Sequence, residues 1–157
     1  MGLPRIEMPQ AIPKSEASRI AQFMGLRQWQ EMNDLKLVRQ VESGLPISAV
    51  QRIVHRIDPK ELSVSVYDLI PKATYYRIKE EKRRLSKDQS EKIFALSKVF
   101  SETLRQYHDD RESASMFLMR SHPLLGGRSP LNVACESTAG ADLVLKLLDQ
   151  AEAGVAL

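Results

Sequence analysis

The sequence is poor in the residues that build disulfides, aromatic cores and membrane spans. Its single cysteine, Cys135, excludes an intrachain disulfide and fits a reducing compartment. Aromatic residues make up 6% of the chain, so the core must rest on leucine, isoleucine, valine, alanine and methionine. No apolar run approaches the length of a membrane span, and Pro4, Pro9 and Pro13 interrupt any apolar signal segment near the start. We therefore expect a cytoplasmic protein with no membrane contact.

Residues that commonly carry catalysis are also scarce. The three histidines are scattered among the predicted helices, without the spacing of metal ligands: His55, His108 and His122. Cys135 lies on a short apolar segment, which favours a buried small hydrophobic residue over a nucleophile. The pair Asp109-Asp110 fits helix capping, and Gly126-Gly127 lacks the lysine and the strand of a phosphate-binding loop. The sequence predicts no enzyme, no catalytic residue, no cofactor and no metal.

Positive charge is concentrated in the middle of the chain. The net charge is +3, yet residues 36–92 carry thirteen basic and eight acidic side chains. Residues 1–35 are balanced, and residues 93–157 carry six basic and eight acidic side chains. This asymmetry indicates a polyanion partner for the middle segment, although a solvated helical face shows the same pattern.

Apolar residues recur at helical spacing along most of the chain. Helices are predicted to begin, through capping residues or first-turn prolines, near these positions: Ser15, Asn33, Pro46, Asp58, Lys72, Ser86, Asp109, Ser129 and Thr138. The segment Ser63–Tyr67 alternates as a strand would, but the sequence offers no partner strand, and Asp58–Glu61 has the pattern of a capping box. A helix is therefore favoured there. The predicted fold class is all-α, with eight or nine helices.

The spacing also predicts which faces of two helices are buried. The helix from Asn33 is expected to bury Leu35, Val38 and Val41. The helix from Lys72 is expected to turn Ala73, Tyr76 and Ile78 inward.

The pair Ile70-Pro71 separates two short helices, because the residue before a proline avoids helical backbone. This arrangement is the one that a DNA-binding helix-turn-helix requires. The second helix would bring to the bases and phosphates its polar and basic side chains: Lys72, Thr74, Tyr75, Arg77, Lys79 and Arg83. A solvated basic face on a structural helix is the competing interpretation.

The last third of the chain holds a loop that is more elaborate than a helix connection needs. It runs from Pro123-Leu124-Leu125 through Gly126-Gly127-Arg128 to Ser129-Pro130-Leu131, and Gly140-Ala141 then opens an apolar helix. We expect contacts with a partner protein at these positions: Arg120, Leu125, Gly126, Gly127, Arg128, Gly154 and Val155. Each piece can also serve the fold alone, since glycine permits positive φ and Ser-Pro starts helices.

Together these segments resemble the Xre/MbcA/ParS antitoxins of type II toxin–antitoxin systems. The resemblance rests on Leu69–Lys79 followed by Arg84-Leu85-Ser86, and on the glycine loop and the apolar helix that follows it. It spans nearly everything after residue 36. The sequence departs from the family at Ile78, where a second arginine is common, and at Ile70-Pro71, where a glycine is often found.

The resemblance implies an Xre-type helix-turn-helix core followed by a small helical toxin-binding domain. The expected division is an N-terminal extension at 1–35, a DNA-binding region at 36–97 and a toxin-binding domain at 98–157. It further implies a RES-domain toxin as partner, one that consumes NAD or transfers ADP-ribose, with its active site covered by the C-terminal region. Paired antitoxins, as a homodimer, would bind the operator DNA of their own operon and repress it.

Two other functions stay open at this point. A pure interaction module would inhibit a toxin without touching DNA, and the basic middle segment argues against it. A stand-alone helix-turn-helix transcription regulator with a C-terminal interaction or sensing domain would bind DNA without a tight protein partner.

Overall fold

The computed structural model of the chain describes residues 11–154, which form helices, turns and loops without any strand. In that part of the chain the α-helices are α1 (Glu16–Phe23), α2 (Asp34–Ser43), α3 (Ser48–Ile57), α4 (Val66–Leu69), α5 (Lys72–Glu81), α6 (Lys87–Gln106), α7 (Arg111–Met119), α8 (Pro130–Glu136) and α9 (Thr138–Glu152). Short 3₁₀ turns lie at Trp29–Glu31 and Pro123–Leu125. The all-α prediction is confirmed. Of the sequence features above, Pro4, Pro9 and Val155 lie outside the described residues.

Local capping signals set most of the helix starts. Ser15 and Ser86 each accept a hydrogen bond from the backbone three residues on, in reciprocal capping boxes. Ser129 accepts from the backbone N–H of Asn132 at 3.1 Å, and Pro130 follows in the first helical position. These starts agree with the predictions made from the sequence.

Helix α6 is the centre of the molecule. It packs against α1, α2, α3, α4, α7, α8 and α9. Along its length Ile93, Leu96 and Phe100 are fully buried. The hydroxyls of Ser97 and Thr103, also buried, donate to the carbonyl oxygens one turn earlier at 2.9 and 2.7 Å. These two hydroxyls are thus satisfied within the helix, and neighbouring helices can approach these small side chains closely.

The segment after Asp58 is a loop, so the prediction of a helix that begins there is wrong. The Asp58 carboxylate is buried and accepts hydrogen bonds from the backbone N–H groups of Ser63 and Val64 at 2.7 and 3.1 Å. It therefore organises a loop of seven residues, and α4 starts only at Val66, behind its own cap Ser65. In a capping box the carboxylate accepts from the N–H three residues on, whereas here it accepts from those five and six residues on, so no helix starts at Asp58.

Helix α2 meets the core with a different face from the predicted one. Leu37 and Val41, one turn apart, are buried, whereas Leu35 and Val38 are exposed. The prediction for Val41 is confirmed, and those for Leu35 and Val38 are wrong. Residues 35–41 include four apolar side chains, which form two overlapping stripes around the helix, and packing against α6 buries only one stripe.

Two further helix starts lie one or two residues from their predicted positions, a usual margin for helix ends. Helix α3 begins at Ser48 instead of Pro46. Helix α7 is capped by Asp110 instead of Asp109. The backbone of Asp109 has a φ of +63°, and its carboxylate pairs with Arg19 at 2.9 Å. Hydrogen bonds from Ser113 lower the pKa of Asp110, as expected for an ionised cap.

Helices α8 and α9 approach each other at Gly140. A Cβ built on this residue would lie 2.0 Å from the carbonyl oxygen of Val133, a backbone atom that cannot swing away. The close approach lets Leu131, Ala141 and Val144 bury fully. Gly140 is thus required by backbone packing although it lies inside a helix, where glycine is normally unfavourable.

We expect Gly140→Ala to destabilise the protein by about 2 kcal/mol, because the methyl group forces the two helices apart. An exposed helical glycine would give the opposite sign, since alanine gains roughly 1 kcal/mol there. Urea unfolding followed by circular dichroism measures the change, with exposed Thr138→Ala as the matched control on the same helix turn. A Gly140→Ala protein at least as stable as the parent would contradict the α8–α9 contact.

Candidate functional site

Helices α4 and α5 form a helix-turn-helix around a short extended link. Ile70 is buried with extended backbone, and Pro71 is the cap of α5, its carbonyl accepting from the N–H of Tyr75 at 2.9 Å. Helix α5 is attached to the core through Tyr75 and Ile78, and the rest of its surface is largely exposed. The geometry presents one basic helix to the outside of the molecule.

The two neighbouring tyrosines of α5 differ in burial in the opposite sense to the prediction. Tyr75, expected on the exposed side, is buried, and its hydroxyl accepts a hydrogen bond from the amide of Gln51 on α3. Burial raises the pKa of Tyr75. Tyr76, expected to face inward, is 50% exposed, and Ala73 is exposed too. These predictions are wrong, whereas the burial of Ile78 is confirmed.

The exposed face of α5 carries Lys72, Arg77 and Lys79, with Thr74 half-buried beside them. Tyr67 on α4, which the sequence analysis did not single out, joins this face: its hydroxyl lies 3.1 Å from that of Tyr76. The Lys72 ammonium lies 5.7 Å from the centre of the Tyr67 ring, within the range of a cation–π contact. The hydrogen bond to Tyr76 raises the pKa of Tyr67. Seen as a whole, the face is basic and rich in hydroxyl groups.

Beyond α5 the basic residues divide between surface and fold. Arg83 lies half-exposed and pairs with Glu81 at 2.5 Å, so its guanidinium already has one anionic partner. Arg84 donates to the carbonyl oxygen of Gly44 at 3.0 Å and ties the end of the motif to α2. Gly44 itself has a φ of +99°, and a Cβ there would lie 2.5 Å from the carbonyl oxygen of Leu85.

The C-terminal loop is closed upon itself. The N–H of His122 donates to the carbonyl oxygen of Arg128 at 3.0 Å, and the His122 carbonyl accepts from Gly127 at 3.1 Å. Gly126 and Gly127 have φ values of +66° and +80° and open space around them, so they permit the turn and expose its backbone. Of the leucine pair, Leu125 is buried and Leu124 is exposed at the tip.

The remaining predicted partner contacts lie at the surface. Arg120 is exposed at the end of α7, and Gly154 is exposed after α9. Arg128 pairs with Glu136 at 2.7 Å across the mouth of the loop. The structure thus groups Arg120, Arg128 and the two loop glycines at one end of the C-terminal segment, and Leu125 serves the core there. Leu124 was missed because the sequence cannot show which leucine of a pair turns inward.

One acidic cluster and the single cysteine have structural explanations. The carboxylates of Glu102 and Glu152 lie near Asp149 and are bonded to Arg105 at 2.5 and 2.7 Å, which favours an ion-pair network over a metal site. Arg105 lowers the pKa of Glu152. Cys135 is buried as predicted, and burial raises the pKa of its thiol to about 12. A thiol of that pKa is protonated at neutral pH and unsuited to nucleophilic attack.

A basic exposed helix after a tight break, followed by a separate helical segment with a closed loop, defines a helix-turn-helix DNA-binding protein with an added interaction region. Residues 36–98 match the antitoxin Xre-like helix-turn-helix domain, and residues 103–154 match the antitoxin Xre/MbcA/ParS C-terminal toxin-binding domain. The chain belongs to the Xre/MbcA/ParS family of antitoxins, with a DNA-binding and a toxin-binding segment in tandem. No curated protein matches the chain in sequence.

Membership of an antitoxin family favours a binding protein over an enzyme. Within residues 11–154, none of the helices combines the length and the apolar character needed to cross a bilayer.

We expect Cys135 to react with a thiol-specific disulfide reagent at pH 8 on the order of a thousandfold more slowly than free cysteine, because its thiolate is rare at that pH. Absorbance of the released chromophore measures the rate, and the same protein in urea should regain the rate of an exposed thiol. Fast reaction of the folded protein would contradict the burial of this residue.

Proposed function

We propose that the chain is the antitoxin of a type II toxin–antitoxin system, acting in the cytoplasm. It neutralises a RES-domain toxin, which consumes NAD or transfers ADP-ribose, by binding over the active site. It also represses its own operon by binding operator DNA. The observation that carries the proposal is the tandem match of an antitoxin helix-turn-helix and a toxin-binding domain along one chain.

The DNA-binding half of the proposal rests on the exposed face of α5. A helix fits the major groove, and its first turns come nearest to the base edges. For that contact we propose Lys72, Thr74, Arg77 and the exposed Tyr76, and we leave out Tyr75 because it is buried. Lys79, further along the helix, is placed for backbone phosphate.

Arg83 is proposed as a weaker phosphate contact, since binding would have to compete with Glu81 for its guanidinium. A second copy of the chain is part of the proposal. Two-fold symmetry in a helix-turn-helix protein matches two half-sites on the duplex, and this favours a homodimer on a palindromic operator.

The toxin-binding half rests on the C-terminal loop and its flanks. The loop presents an exposed apolar side chain, Leu124, on a turn whose backbone is left open by Gly126 and Gly127. Arg120 flanks it with positive charge, and Arg128 is proposed as a weaker contact because its guanidinium already pairs with Glu136. An aliphatic side chain at the tip of an exposed loop is one form of anchor that fills a partner's pocket. We include the chain end at Gly154-Val155 in the contact, as the family resemblance implies.

We expect Arg77→Ala to weaken binding to a duplex from the promoter region by roughly tenfold, because a contact to base or phosphate is lost. Electrophoretic shift at several salt concentrations measures the affinity and its salt slope. Arg27→Ala is the matched control, since Arg27 is exposed, lies far from α5 in sequence, and makes no ion pair within residues 11–154. DNA binding that is absent, or indifferent to salt, would refute the repressor function.

We expect the full chain, co-expressed with the product of the adjacent gene, to purify as a tight complex that abolishes the partner's NAD-consuming activity. Leu124→Asp should loosen this complex by tenfold or more, because a charge replaces an apolar anchor. Leu35→Asp, on an exposed apolar residue of α2, is the control. Loss of binding in both variants, or in neither, would contradict the assignment of the loop to the toxin.

A further inference from the structure

A long groove lies between α3, in the helix-turn-helix segment, and α7, in the toxin-binding segment, apart from the exposed face of α5. Its volume is about 1270 Å³, and it is open along its length. Its lining is mainly apolar, with Ile57, Leu62, Met116 and Met119 among the side chains that form it. Leu62 and Met116 are largely exposed to solvent. The volume exceeds that of a usual small-molecule pocket, and flexible methionines suit a surface that receives a helix.

Arginine side chains surround this α3–α7 groove. Arg52 and Arg56 come from α3, and Arg111 and Arg120 come from the two ends of α7. Among residues 11–154, none of the ion pairs includes any of these four. Partial burial, and then the charges of Arg111 and Arg52, lower the pKa of Arg56. The basic residues of the groove outnumber its two carboxylates, Asp58 and Glu112, so the fold holds several like charges close together there.

Packing, instead of ion pairing, holds two of these side chains in place. The Arg56 guanidinium lies 5.2 Å from the centre of the Phe23 ring, in cation–π contact. The Arg52 stem lies against Gly25, so closely that a Cβ there would be 3.1 Å from Arg52 Cγ. Both groups are thus positioned at the groove before any ligand arrives, which lowers the entropy lost on binding.

We propose that the α3–α7 groove binds an acidic amphipathic helix of the partner toxin. The apolar floor receives the hydrophobic face of that helix, and the arginines pair with aspartates or glutamates along its edges. This inference rests on the proposed function, since it names a second contact with the same toxin. Arg120 connects the two contacts, because it borders the groove and immediately precedes the loop at 122–128.

Nucleic acid fits this groove less well. Phosphates need a polar, basic surface, whereas most of the accessible surface of the α3–α7 groove is apolar, and the carboxylates of Asp58 and Glu112 also line it. Gln51 and His55 lie between the groove and the tyrosines of the helix-turn-helix, so DNA binding and groove binding must be measured side by side.

The test compares the wild-type chain with the double variant Arg52→Gln, Arg111→Gln, and with Arg27→Gln as the control for loss of an exposed arginine outside the groove. Affinity for the purified toxin is measured by calorimetry at two salt concentrations. We expect the double variant to bind about tenfold or more weakly with a smaller salt dependence, and the control to bind as the wild type does. Promoter binding should be unchanged, and the thermal midpoint should stay equal or rise, because repulsion is relieved.

The apolar floor has its own variant. Met116→Ser should weaken toxin binding severalfold, because it removes apolar contact area, and Met116→Leu should bind as the wild type does. Both variants should fold, because Met116 is exposed on α7.

Four results would overturn the inference in distinguishable ways. If the wild-type chain does not bind the toxin, the proposed function fails and the groove contact fails with it. If the wild type binds and the double variant binds equally well, the groove proposal alone is wrong. If the double variant loses DNA affinity instead, the arginines contact phosphate. A fall of several degrees in the thermal midpoint would mark them as structural residues and also refute the proposal.

Discussion

The burial of α6 on nearly every side is the constraint on which the rest of the structure depends. Seven of the other helices pack against it, and its apolar residues and satisfied hydroxyls fill the middle of the molecule. With 6% aromatic residues, the protein achieves this through aliphatic side chains and close helix approach, as at Gly140. Helix α5 is left at the periphery, held by two buried side chains and free to present its outer face.

The sequence predicted best what local hydrogen bonding decides. Capping residues such as Ser15, Ser86 and Ser129 set helix starts within the segment that contains them, and all three were predicted. Asp58 carried the same kind of signal, yet its carboxylate was drawn into a buried loop. A capping pattern shows that a side chain is able to accept from the first N–H groups of a helix. Tertiary burial decides which N–H groups it accepts from in the folded protein.

Helix faces were harder to predict, because neighbouring residues compete for the core. Tyr75 and Tyr76 have similar apolar area, and their positions around the helix differ by one residue only. The amide of Gln51, distant in sequence, gives the Tyr75 hydroxyl a buried partner and so fixes the choice. Leu35 and Leu37 on α2 differ for a comparable reason, since the approach of α6 selects one stripe.

Sites assembled from distant segments were invisible in the sequence. Arg52 and Arg111 are ordinary basic residues on two helices, and only the packing of α3 beside α7 makes them a cluster. The C-terminal loop at 122–128 was evident from its glycines, although the exposure of Leu124 within it was not. Composition and spacing thus located the functional segments, and the fold determined which atoms are available in each.

Helix α6 begins inside one family segment and ends inside the other, without a flexible hinge between them. A cellular protease that removes such a regulator finds no exposed linker at which to cut the two halves apart. Separation of the two halves within α6 therefore requires that helix to unfold, and because α6 packs against helices of both halves, both lose their core contacts with it.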